Sequence, residues 1–153
     1  MKVNYLIEAT RPRHWIKNLL VFSTPLLAFQ FNYEVWFAAF ISFLVFNLAA
    51  SSIYLFNDVV DYSSDKVHPK KKFRPIASGK LSRNTAFISS IFLIISSLVI
   101  SFKLNTFLFL IILIYIFIQI IYCLKLKKEP LLDIFCIAAG FLLRSISGGV
   151  ASN

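Results

Sequence analysis

The stretch VWFAAFISFLVFNLAASSIYLF, from Val35 to Phe56, runs for 22 residues without a charge. At about 1.5 Å of rise per helical residue it reaches across a bilayer core of about 30 Å. A run of this kind decides the fold class, because a spanning segment must satisfy its own backbone hydrogen bonds and a helix does so within one segment. Asn47, Ser51 and Ser52 lie inside it and read as hydrogen-bonding and close-packing positions against neighbouring helices.

The rest of the chain agrees. Of 153 residues, 58% are hydrophobic, 17 are phenylalanine and the mean hydropathy is +0.76, too apolar for an ordinary water-soluble domain of this size. Only four glycines and five prolines interrupt it, and the apolar runs are long and continuous, which excludes the short alternating segments of a membrane barrel. Before the central run, Leu19 to Phe31 is apolar but short and contains Pro25, so a kinked first span is expected there. After it, Ala86 to Phe102 and Thr106 to Leu124 form a tight hairpin around Lys103, Leu104 and Asn105. Leu131 to Val150 is a last run carrying Asp133 and Arg144. The expected architecture is therefore all-α, a polytopic transmembrane helical bundle of about five spans.

Charge placement gives orientation and excludes one class of partner. Four Lys or Arg precede the first span, seven lie between Asn57 and Thr85 and three lie in the turn at Lys125, against Lys103 alone on the opposite side. The positive-inside rule puts the N-terminus and the 57–85 loop in the cytoplasm of a cell whose plasma membrane holds the protein. A net charge of +9 could suggest nucleic acid, but the cations sit between apolar runs, where an anionic leaflet or a phosphorylated substrate explains them. The N-terminus does not read as a cleaved signal peptide, since Glu8, Arg11, Arg13 and Lys17 precede the first apolar run. Residues 1 to 17 suit a short segment at headgroup level anchored by Trp15. Cys123 and Cys136 read as small packing residues.

The chemistry concentrates just past Phe56. At about 100° per helical residue, Asn57, Asp61, Asp65 and Asp58 point near 0°, 40°, 80° and 100°, so all four share one helical face. Carboxylates and an amide carbonyl are the hard ligands Mg²⁺ takes, and Mg²⁺ usually completes its octahedron with waters and substrate phosphates. The four together make an oxygen-rich candidate metal site; a helix cap or a solvated acidic patch is the competing reading. Arg74 suits a bidentate phosphate contact and Lys70 is the lysine of the 70–72 run expected to reach a bound anion. A polar connection of 29 residues, from Asn57 to Thr85, is long enough to expect a function, with Gly79 permitting a turn before a helix beginning near Ser82.

Asn57, Asp61 and Asp65 followed by Arg74-Pro75 and Gly79 resemble the first aspartate-rich motif of the UbiA prenyltransferase superfamily of intramembrane enzymes. Asn57-Asp58, His68-Pro69, Lys70, Phe73 to Gly79 and the earlier segment Arg11 to Asn18 resemble the branch that moves phosphoribose onto polyprenyl phosphate. The resemblance implies Mg²⁺-dependent transfer of phosphoribose from 5-phosphoribosyl 1-diphosphate to a polyprenyl phosphate lipid at the cytoplasmic face. It also implies Asn57, Asp61 and Asp65 as metal ligands, Asp58, Asp61 and Asp65 as the catalytic carboxylates, and phosphate contacts from Lys17, Asn18, Tyr122 and Lys125. Two other readings stand beside it: prenyl transfer from a polyprenyl diphosphate to an aromatic acceptor, and an inactive partial membrane scaffold. Family members of this kind have roughly nine helices and a second acidic cluster, so residues 1–153 are expected to be the N-terminal part of that fold. The isolated chain is then expected to lack robust activity unless a second chain supplies the other half.

Overall fold

The computed structural model describes residues 2–150. The described residues form helices and connecting turns, with no strand among them. A short α1 (Lys2–Ala9) leads into a 3-10 helix, Pro12–Phe22, and then α2 (Ser23–Leu27). The long α3 (Tyr33–Val60) follows, then α4 (Tyr62–Val67), a 3-10 turn at Lys71–Phe73, α5 (Arg83–Leu104), α6 (Thr106–Leu124), a 3-10 turn at Leu126–Lys128 and α7 (Pro130–Val150).

Among the described residues four helices, α3, α5, α6 and α7, are long and apolar enough to cross a membrane. The segment expected as the first of about five spans is the 3-10 helix running on into α2, with Pro25 buried at the junction. Runs of 3-10 helix longer than three or four residues are uncommon because their hydrogen bonds are poorly aligned, so packing must hold this one. It is packed, lying against α3 and α7. The tightest approach is at Gly148, where a Cβ would lie 1.7 Å from the Val21 carbonyl oxygen, so only glycine permits the crossing.

Helix α3 is the hub, in contact with the 3-10 helix, α5, α6 and α7. Val45, Phe46, Ala49 and Ile53 bury against Leu108, Ile112, Tyr115 and Ile116 of α6. Small residues at Ala38, Ala39, Ser42, Ala49, Ala50, Ser51 and Ser52 are buried on α3, which lets neighbouring backbones approach as membrane helices require. Polar side chains then link the elements. Ser90 Oγ of α5 donates to the Ser52 carbonyl at 2.9 Å, Trp15 Nε1 donates to Ser51 Oγ at 3.1 Å and Asn18 Nδ2 donates to Asn47 Oδ1 at 2.6 Å. Trp15, read from sequence as a headgroup anchor, is thus half-buried and tied to α3. The outward sides of α5, α6 and α7 carry exposed Phe92, Ile95, Phe107, Phe117, Phe135 and Leu142, which suits a hydrocarbon surround.

The 61–82 connection has its own small core. Ile76 and Leu81 bury with Ala9 of α1, Leu55 of α3 and Ala86 of α5. Gly79 turns the chain at φ 79°, a left-handed conformation that glycine adopts freely, and Ser82 caps α5 by accepting from the Thr85 N–H at 3.1 Å. Asn105 caps α6 likewise, accepting from the Phe107 N–H at 2.7 Å. These are the starts expected from the sequence, and they hold the loop over the C-terminal end of α3 and the N-terminal end of α5.

Candidate active site

The last turn of α3 builds the site. Asn57 and Asp58 lie in it, Asp61 is the shared cap of α3 and α4, and Asp65 sits in α4. The N–H groups of Asp61 and Asp65 still bond to the carbonyls of Asn57 and Asp61, both at 2.8 Å, so helical spacing carries through the junction.

The four side chains divide into two pairs. Asp58 Oδ1 accepts from Arg11 Nη2 at 2.6 Å and Arg74 Nη1 at 3.2 Å, and the same Arg74 nitrogen donates to Asp65 Oδ2 at 2.7 Å. Asp58 and Asp65 are each only 2% exposed, and such burial is tolerated because two guanidinium groups balance two carboxylates. Asn57 and Asp61 form the second pair. Both accept from the Lys127 ammonium, Asn57 Oδ1 at 3.4 Å and Asp61 Oδ1 in a closer ion pair.

Arg11 reaches this cluster from an unusual backbone. It stands just before Pro12 at φ 54° and ψ 62°, a left-handed conformation uncommon for a residue with a side chain. Its guanidinium also lies 4.9 Å from the centre of the Tyr54 ring, one turn below Asp58. The His14 ring packs tilted against the same Tyr54 ring, with centroids 5.5 Å apart. Partial desolvation, then the Lys17 and Arg11 charges, hold its imidazole below the ordinary value.

The expected metal ligands Asn57, Asp61 and Asp65 are brought to one helix end, but Asp65 is engaged by Arg74 and not by the point that Asn57 and Asp61 share. Among the described residues no group of three or more His, Cys, Asp or Glu side chains is gathered as a metal cage. The donor chemistry still fits Mg²⁺. Two hard oxygens already converge on one cation, and Mg²⁺ ordinarily takes one or two carboxylates, with water and phosphate as its remaining ligands.

The other expected site residues are distributed unevenly. Arg74 is at the centre. Lys70 is exposed, with its backbone N–H donating to His68 Nδ1 at 3.2 Å, which makes His68 a loop organiser. Lys125 is exposed at the end of α6, and Lys127, two residues on, is the lysine that reaches Asp61. Tyr122 packs half-buried against the core beside Asp133, whose buried Oδ1 has no hydrogen-bond partner by distance and angle among the described residues. The exposed Lys17 lines a partly open cavity with Arg144, and Asn18 is buried, accepting from Arg144 Nε at 2.6 Å. Sequence reasoning assigned no site role to Arg11 or Lys127. Their distances of 47 residues from Asp58 and 66 from Asp61 put those partnerships beyond any local pattern.

Comparison with known proteins gives the arrangement a context. The decaprenyl-phosphate phosphoribosyltransferase of Mycolicibacterium smegmatis is 46% identical over 156 residues, an alignment covering 99% of this chain and 49% of that protein. A solved structure of digeranylgeranylglyceryl phosphate synthase superposes with a TM-score of 0.83 at 24% identity, covering 98% of this chain and 53% of that one. A UbiA homologue from Archaeoglobus fulgidus, solved bound to DMAPP and Mg²⁺, superposes with a TM-score of 0.78 at 20% identity, covering 96% and 54%. The chain spans about half the length of the relatives it matches. The sequence pattern of the UbiA prenyltransferase family matches residues 19–153, which include the four long apolar helices and Asn57, Asp58, Asp61 and Asp65. The chain belongs to the UbiA prenyltransferase family.

Proposed function

We propose that the chain forms part of a Mg²⁺-dependent transferase that moves phosphoribose from 5-phosphoribosyl 1-diphosphate to a polyprenyl phosphate at the cytoplasmic face of the cell membrane. The observation that carries this reading is the 46% identity, sustained over 99% of the chain, with a decaprenyl-phosphate phosphoribosyltransferase. The polar loop over residues 57–85 belongs to the active site of this transmembrane domain.

In this reading Asn57 and Asp61 would hold the metal, with Asp65 supporting through its place on the same helical face. Bound there, Mg²⁺ supplies Lewis-acid neutralisation of the diphosphate. Arg74, with Lys70 from the exposed loop, holds the diphosphate, and Asp58 and Asp65 position the Arg74 guanidinium for that task. Tyr122 and Lys125 stand at the end of α6 on the same side. The bond from the anomeric carbon to diphosphate breaks as a bond forms from that carbon to an oxygen of the lipid phosphate. The acceptor needs no general base, because a phosphate monoester is already largely ionised near neutral pH.

The test offers membranes containing the protein each donor in turn. Radiolabel from 5-phosphoribosyl 1-diphosphate should appear in a polyprenyl-phosphate lipid. Product formed only from polyprenyl diphosphate and an aromatic acid would replace this reading with prenyl transfer, and no product from either, with or without a second chain completing the fold, would leave a scaffold.

A further inference from the structure

Arg144 lies beyond the middle of α7, 8% exposed, in the interior of the bundle. Its Nε donates to Asn18 Oδ1 at 2.6 Å, its Nη2 to Tyr115 Oη at 3.0 Å and its Nη1 to the Gly140 carbonyl at 2.5 Å. The rings of Phe46, Tyr115 and Phe141 surround the guanidinium, 5.0 to 6.0 Å from their centres. All three acceptors are neutral. None of the ion pairs among the described residues includes Arg144. Neutral acceptors orient a guanidinium but leave its charge uncompensated, and an uncompensated charge at membrane depth is costly.

The guanidinium borders a cavity of about 110 Å³, several times what one water needs, and the other polar walls are Lys17, Tyr54, Tyr115 and Gln119. A second cation, two phenols and an amide line it, and no carboxylate does. Gly140 keeps the donors together: a Cβ there would lie 3.0 Å from Arg144 Nη1 and 3.5 Å from Gln119 Nε2. Tyr54 precedes Asp58 by four residues on α3, which places the cavity about 6 Å, roughly one helical turn, beneath the acidic cluster.

We infer that this cavity is a subsite for a phosphate monoester that enters from the bilayer on a lipid. A phosphate monoester carries about −1.5 to −2 charges at pH 7, which two cations match. Arg144 supplies planar, oriented donors and Lys17 a mobile one at the rim. Asn18 then acts as a positioning residue, bonded to Arg144 on one side and to Asn47 of α3 on the other. The lipid source rests on the proposed function; the phosphate chemistry rests on the cavity alone.

Direct binding separates the two. The purified protein in detergent is titrated with farnesyl phosphate, with farnesol and with 5-phosphoribosyl 1-diphosphate. Wild type should bind farnesyl phosphate about tenfold or more tighter than farnesol, Arg144→Met should abolish that difference and Arg144→Lys should restore part of it, as expected for a charged hydrogen-bond donor. Affinity for 5-phosphoribosyl 1-diphosphate should stay within about twofold. If Arg144→Met does not fold, Gln119→Leu and Lys17→Met read the same preference from the rim of the cavity. Equal affinity for farnesyl phosphate and farnesol in wild type, or an unchanged preference in folded variants, overturns the subsite. Loss of 5-phosphoribosyl 1-diphosphate binding in place of farnesyl phosphate binding overturns the lipid assignment. Because no turnover is measured, failure of phosphoribosyl transfer would leave this result standing.

Discussion

Asp58 and Asp61 stand three residues apart and have opposite surroundings. Asp58 is 2% exposed and is the common acceptor of Arg11 and Arg74, while Asp61 is 18% exposed and faces a lysine. Asp58→Asn leaves two guanidinium groups short of charge and should cost about 3 kcal/mol of stability, read as a lowered thermal midpoint of the purified protein. Asp61→Asn should leave that midpoint nearly unchanged and, in the complete enzyme, lower Mg²⁺-dependent transfer by about 10²- to 10³-fold. Retained transfer would remove Asp61 from the metal site. The shared helical face of these carboxylates was legible in the sequence, because spacing within one helix is local. Their division between Arg74 and Lys127 was not, since it depends on how the 57–85 loop and the 126–128 turn fold back.

Among the elements, α3, α5, α6 and α7 were readable from uncharged length and from the caps at Ser82 and Asn105. The 3-10 helix at Pro12–Phe22 was not, because its register is imposed by α3 and α7 and nothing in its own composition demands it. Gly148 is the contact that imposes it. Gly148→Ala drives a methyl into the Val21 carbonyl and should destabilise by about 3 kcal/mol or more, because backbone on both sides must move. Gly79→Ala meets no atom within 4 Å and bears only the strain of a positive φ, so its loss should be smaller, about 1 to 2 kcal/mol. Thermal or chemical denaturation of the two variants side by side measures the difference, and equal losses would show that the crossing can relax. Arg144 was legible as an ionisable residue in an apolar run, whereas the cavity it shares with Lys17 needed four elements in place.

At the scale of the whole molecule, the Lys and Arg residues other than Lys103 and Arg144 belong to segments at one end of the bundle, and Lys103 lies at the other. A cysteine placed at Lys103 should react with an impermeant maleimide on intact cells, and one at Lys70 only after permeabilisation; the reverse pattern would invert the topology. Cys123 and Cys136 are buried, so background labelling should be low. Chelating Mg²⁺ should abolish transfer in the complete enzyme yet shift the thermal midpoint little, because each carboxylate of the cluster already has a cationic side chain beside it. A large fall in the midpoint would show that the metal, and not Lys127, holds the Asn57–Asp61 pair. The Lys127 contact has a kinetic corollary. A tethered ammonium is always at high local concentration, so an arriving divalent ion must exchange with it and does not simply fill a gap. Exchange is easiest when the ion arrives already carrying phosphate oxygens that can receive the evicted ammonium. In the proposed transfer, metal and diphosphate would then enter as one complex, and the returning Lys127 ammonium would help to expel them together.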